Sequence, residues 1–130
     1  KIGESAYGVA GLTEEAAKKS GFNVVTGSFT AMDRHPGKIK DAHKQTVKLI
    51  ASKDSGTILG GEVIGGLGTG EMTNVLGVII QTNSTISDVL TMQIGTQPML
   101  TASPAAYPLI KAAEKASRNM DGCCAPNDIC

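Results

Sequence analysis

Two runs of alternating residues, parted by four turn-formers, constrain this chain most. Gln45–Ser52 sets Val47, Leu49 and Ala51 against Thr46, Lys48 and Ser52. Lys53-Asp54-Ser55-Gly56 follows, and Thr57–Gly66 (TILGGEVIGG) returns. A period of two on either side of a polar, glycine-bearing turn is the pattern of an antiparallel β-hairpin.

The flanking segments tell what surrounds the hairpin. Ala6–Leu12 (AYGVAGL) alternates loosely and reads as a strand. Thr13 is a helix-capping residue, with Glu14 and Glu15 in the turn after it, Lys18 and Lys19 a turn later, and Gly21 beyond. Acid first, base last and glycine at the stop match the helix dipole and its end geometry, so a helix is expected at 14–20. Phe22–Ala31 is rich in β-formers and reads as a strand, whereas Met32–Lys44 is polar, contains His35-Pro36-Gly37, and reads as a loop or crossing segment. From Glu71 the period changes. Met72, Val75, Leu76, Ile79 and Ile80 fall on one helical face and predict a helix at about 70–82. Thr85 with Asp88 resembles a capping box and predicts a helix at about 86–94, broken by Gly95–Pro98. Ser103-Pro104 or Tyr107-Pro108 opens the last helix, since proline is tolerated in a first turn, and this helix ends near Asn119. Strands joined by a hairpin and then a run of helices define an α+β fold, with a mainly antiparallel sheet flanked by helices. The expected body is 1–120, with a tail at 121–130.

Composition removes several functions. With 12 basic and 12 acidic residues the formal charge is zero, which argues against phosphate neutralisation on nucleic acid. Two Tyr, two Phe and no Trp leave no platform for stacking bases. The 41% hydrophobic content supplies a core for one domain of 130 residues. No apolar run approaches the roughly 20 residues of a membrane span. Lys1 stands where an initiator Met would, with no signal peptide after it. The sequence therefore reads as a piece of a longer polypeptide, with a cytoplasmic location by default.

Gly65-Gly66-Leu67-Gly68-Thr69-Gly70 suggests a phosphate loop, but Glu71-Met72 follow where a Walker loop has Lys and Ser/Thr, and a carboxylate there repels phosphate. The dinucleotide fingerprint fails at the same position. A strand-to-helix turn with close backbone packing is the better reading. Asp33, His35, Asp41 and His43 share one polar loop, but Arg34, Lys38, Lys40 and Lys44 crowd it and disfavour a metal cation. Glu62 is expected on the strand face of Ile58 and Ile64, at a wet edge or paired with a cation. The three cysteines, Cys123, Cys124 and Cys130, all fall in the last eight residues and form neither a disulfide framework nor a zinc motif.

Val9-Ala10-Gly11-Leu12-Thr13-Glu14-Glu15-Ala16-Ala17, the returning strand Ile58–Gly65, Gly70-Glu71-Met72-Thr73-Asn74 and Thr85-Ile86-Ser87-Asp88-Val89 occur in an ordered set. Over about residues 6–117 this set resembles the C-terminal dimerisation domain of the FAD-dependent pyridine nucleotide-disulfide oxidoreductases. The resemblance implies an antiparallel sheet flanked by helices and a homodimer interface. It also implies FAD and NAD(P)H domains, with the redox cysteine, upstream in a parent chain. Taken alone, the fragment would then bind no cofactor and be inactive.

One departure from the family matters. Many members carry His-Pro followed by Thr-x-x-Glu before the last helix, the His serving as acid/base and the Glu orienting it. Here the segment is Gln97-Pro98-Met99-Leu100-Thr101-Ala102. Pro98 is kept, but glutamine does not titrate near neutrality and Ala102 cannot orient it. The resemblance still implies that Gln97 and Pro98 face the partner's flavin. NADH-oxidase and coenzyme A-disulfide reductase members often lack the His–Glu pair, and some use a tyrosine of this domain; Tyr107 stands in a comparable place. The tail is similar to that of mercuric reductase, which ends in a vicinal cysteine pair, so Cys123 and Cys124 are candidate thiols.

Three functions compete. The leading one is the homodimerisation domain of an NADH-oxidase or disulfide-reductase type flavoenzyme, acting without metal. The second is a stand-alone thiol or metal-binding redox module using Cys123-Cys124. The third is a small independent enzyme, for which no nucleophile–base arrangement is evident.

Overall fold

The computed structural model describes residues 1–122. In chain order the elements are β1 (Ala6–Gly11), α1 (Glu14–Lys19), β2 (Val24–Met32), β3 (Lys44–Ser52), β4 (Ile58–Gly65), α2 (Thr69–Gln81), α3 (Ile86–Leu90), a 3-10 turn (Pro104–Ala106) and α4 (Pro108–Met120). The four strands form one antiparallel sheet in the order β1-β4-β3-β2. Helices cover it, so the α+β expectation holds.

The hairpin is where the alternation places it. Val47, Leu49 and Ala51 are fully buried on the helix-covered face. The turn closes through the Gly56 N–H donating to the Ser52 carbonyl at 2.7 Å, with Gly56 at φ +74°. That backbone region is cheap only for glycine. The sheet's helix side joins Val25, Leu49 and Val63 to Leu76 and Ile79 of α2, Val89 of α3 and Leu109 of α4 in one core. Gly27 of β2 lets α4 approach the sheet: a Cβ there would run into the Ala112 carbonyl and the Ala116 amide. Small residues along α4 (Ala112, Ala113, Ala116, all fully buried) match this close approach.

The far face is only partly covered. The Thr13 hydroxyl caps α1 by accepting from the Ala16 N–H at 3.2 Å. Glu14 then ties that helix to the sheet, accepting from Lys48 Nζ at 2.8 Å. Fully buried Ile50 and Ala17 lie outside the main core. Toward β1 the face is bare: Tyr7, its cross-strand partner Ile64, and Val9 are exposed.

Two local expectations are corrected and one alternative is resolved. Glu62 does not share a face with Ile58. The register slips between Ile50, opposite Gly60, and Ala51, opposite Ile58. The extra residue, Leu59, reverses the alternation, so Ile58 enters the core while Ile64 stays 41% exposed. The helix expected at 86–94 stops at Leu90. Its capping box is present, but the Thr91 hydroxyl turns back to the Ser87 carbonyl at 2.9 Å, and Met92 leaves the helical path to pack against the core. Both candidate prolines are used: Pro104 begins the 3-10 turn and Pro108 the first turn of α4.

Candidate functional site: the 97–101 turn and the α2 face

Residues 97–101 are held by one side-chain and one backbone hydrogen bond. The Thr101 hydroxyl accepts from the Gln97 N–H at 2.9 Å, and the Gln97 carbonyl accepts from the Thr101 N–H at 3.2 Å. The turn is then clamped to the 33–43 segment. His35 donates its N–H to the Thr101 carbonyl at 2.9 Å and accepts from the Met99 N–H at 2.8 Å. The segment itself is braced by the Asp33 carboxylate, which accepts the His43 N–H at 2.7 Å. Gln97, Pro98, Met99 and Leu100 all remain exposed, and Ala102 is buried.

Beside this turn is a hollow of about 270 Å³, lined among others by Arg34, Gln45, Glu71, Met72, Leu100 and Tyr107. Tyr107 also walls a second, more apolar hollow of about 200 Å³, with Met92, Ile94 and Ile110. The ring is therefore a partition between the two. Its hydroxyl has no hydrogen-bond partner among the described residues, and burial raises its pKa above the ordinary 10. At neutral pH it is a donor, not a base.

Gln97, Pro98 and Tyr107 thus lie in one region of the surface, joined through Thr101 and Leu100. Cys123 and Cys124, like Cys130, lie outside the described residues. Asp33, His35, Asp41 and His43 gather no metal-binding group among the described residues. The Gly65–Gly70 turn is a packing device. A Cβ on Gly66 would strike the His43 ring, and one on Gly65 would crowd Gln45 and Thr69. Those contacts account for glycine at 65 and 66 by packing, as the strand-to-helix reading expects.

The sequence reading missed Gln45 and the backbone of His35, and gave Arg34 little weight. Gln45 looked like the polar first residue of a strand, yet it is only 4% exposed. Arg34 looked like a solvated loop cation. Backbone clamping by His35 leaves no side-chain signature.

The α2 side also presents apolar surface. Leu67 is 69% exposed, Val78 60% and Leu100 68%. Val75 and Leu100 border the same hollow, so the α2 surface runs into the 97–101 turn. Among the described residues no helix is long and apolar enough to cross a membrane.

The fold is an α+β domain whose clamped 97–101 turn stays exposed. Residues 2–106 match the family described as the pyridine nucleotide-disulphide oxidoreductase dimerisation domain, and the chain belongs to that family. Solved structures agree. A NAD-dependent persulfide reductase from A. fulgidus shares 28% identity at a TM-score of 0.82, covering 94% of this chain and 22% of that one. The reduced CoADR-RHD of Bacillus anthracis shares 27% identity at 0.82, covering 94% and 21%. The water-forming NADH oxidase of Lactobacillus brevis has a TM-score of 0.83 at 24% identity, covering 94% and 26%, and so shares the fold. This chain thus spans about a quarter or less of each of these structures. No curated protein matches it.

Proposed function

We propose that the chain, over its body 1–120, is the homodimerisation module of an FAD- and NAD(P)H-dependent oxidoreductase of NADH-oxidase or disulfide-reductase type. One observation carries this reading: exposed Leu67 just before α2, and Val75 and Val78 along it, continue into Leu100 beside the clamped turn. Apolar surface of that extent in a charged, water-facing protein marks a contact site. A twofold contact through it would seat the Gln97–Pro98 turn against the partner subunit, at its flavin. The open sheet face with Tyr7 and Val9 is left for the FAD and NAD(P)H domains of the parent chain. FAD supplies electron transfer in such a parent; this chain supplies the rigid turn and a protonated Tyr107 beneath it. Gln97 holds no transferable proton near neutrality, so its part is hydrogen bonding.

Sedimentation velocity over a concentration series tests the association. A species of twice 13.4 kDa that dissociates on dilution is expected. A monomer at every concentration, up to hundreds of micromolar, would remove the reading.

A further inference from the structure

β2 is the last strand of the sheet, and the bonds at its two ends fix which residues face outward. The Asn23 carbonyl accepts the Lys53 N–H at 2.7 Å, and the Asp33 N–H donates to the His43 carbonyl at 2.9 Å. Odd-numbered residues therefore turn their main chain to β3. The register is unbroken between those ends, so even-numbered residues turn theirs away. Thr26 obeys this: its carbonyl accepts Asn119 Nδ2, from the last turn of α4, at 2.8 Å. Beyond it, the outward N–H and C=O of Ser28 and Thr30 bond to no group among the described residues. They form an open strand edge.

Charge selects what can pair with this edge. On its helix side a hollow of about 330 Å³ is lined by Phe29 of β2 and by Lys111, Glu114, Lys115 and Arg118 of α4. Glu114 alone answers both Lys111 and Arg118. Lys115 has no ion pair among the described residues, and its Nζ stands 5.4 Å from the centroid of the Phe29 ring. Three cations against one carboxylate leave the hollow positive. A strand added to β2 would lie about 4.8 Å beyond it and send every second side chain to the helix side, toward those cations. The side chains between would run beside the uncharged Ser28 and Thr30. A second copy does not suit, because β2 against β2 brings two positive hollows together. We infer that the Ser28–Thr30 edge docks an extended acidic segment of a partner protein as a fifth strand, with carboxylates at alternate positions facing Lys111, Lys115 and Arg118. Main-chain bonds set its register, and charge sets the choice of partner. The edge lies at the opposite end of the sheet from α2, which packs on β1 and β4, so it goes beyond the dimerisation reading.

The test titrates the 130-residue chain with the peptide acetyl-Glu-Thr-Glu-Val-Glu-Thr-Glu-amide, followed by backbone-amide NMR. Saturable shifts at Ser28 and Thr30, with slowed exchange of those two amides, are the expected result. Replacing every Glu of the peptide by Gln should weaken binding by about fivefold or more. A fully N-methylated peptide keeps the charge but loses every ladder donor, and should bind about tenfold more weakly or worse. Lys115→Gln should weaken the acidic peptide by about threefold and leave the Gln peptide as it was. No saturable shift up to about 10 mM peptide would overturn the inference. Equal binding of the Gln peptide would remove the charge selection, and equal binding of the N-methylated peptide would reduce the edge to a diffuse basic patch; either result overturns it. The peptide arms need no variant, so a folding defect cannot obscure them.

Discussion

His35 donates its backbone N–H to the Thr101 carbonyl at 2.9 Å, across 66 residues of chain, and its own carbonyl takes the Met99 N–H at 2.8 Å. This pair of bonds makes the 33–43 segment the scaffold of the exposed turn. A turn so held offers Gln97 and Pro98 with little conformational freedom left to lose on docking.

Thr101→Ala should loosen that turn. The hydroxyl accepts the Gln97 N–H at 2.9 Å, and losing one such bond costs about 1 kcal/mol, less where water can replace it. Hydrogen exchange should quicken at the amides of Gln97, Met99 and His35. Exchange in β3 should stay as it was.

Gly27→Ala should destabilise the whole domain. The added methyl would meet the Ala112 carbonyl and the Ala116 amide, which are backbone and cannot swing aside. Forcing α4 off the sheet costs about 1–3 kcal/mol, read as a shifted denaturant midpoint at unchanged slope. Gly21→Ala, with open space around its Cβ but a φ of +88°, should cost less, through backbone strain alone.

The Glu14 cluster sets an acid dependence. Hydrogen bonds from Lys18 and then Lys48 lower the Glu14 pKa from 4.5 to about 2. A carboxylate with a depressed folded-state pKa gives stability that is fully present above about pH 4.5 and lost as the pH falls through about 2. Because the group is about a third exposed, solvent screening keeps its worth to about 1 kcal/mol or less. A double-mutant cycle of Glu14→Gln with Lys48→Met should show coupling of that size at pH 7 and none near pH 2.

Tyr107 should titrate above 10, since burial raises its pKa. The chain has only two tyrosines, so absorbance titration of Tyr7→Phe isolates it. Tyr107→Phe should change stability by about 0.5 kcal/mol or less, because the hydroxyl has no partner among the described residues. A midpoint at or below 10 would place the ring in water instead of between the two hollows.

The legible parts of the fold were those written in side-chain period or end chemistry. Val47, Leu49 and Ala51 announced β3; Met72, Leu76 and Ile79 announced α2; Thr13 and Glu14 announced α1. Hidden features rested on backbone. The Leu59 bulge turns Ile58 inward without any change in composition, and the His35 clamp uses groups every residue carries. The short α3 was obscured because Met92 and Ile94 continue an apolar pattern that serves packing, not helix. Of the candidate site, Gln97, Pro98 and Tyr107 came from resemblance, whereas Arg34 and Gln45 emerged only when folding brought 34, 45 and 71 to one hollow.

The α2 surface is proposed to join two copies. Sedimentation equilibrium of the Val75→Asp/Val78→Asp chain, beside a Tyr7→Ser/Val9→Ser control on the bare sheet face, tests it most directly. A folded monomer is expected for the first pair and an undisturbed dimer for the second. An undisturbed dimer with both aspartates in place would contradict it.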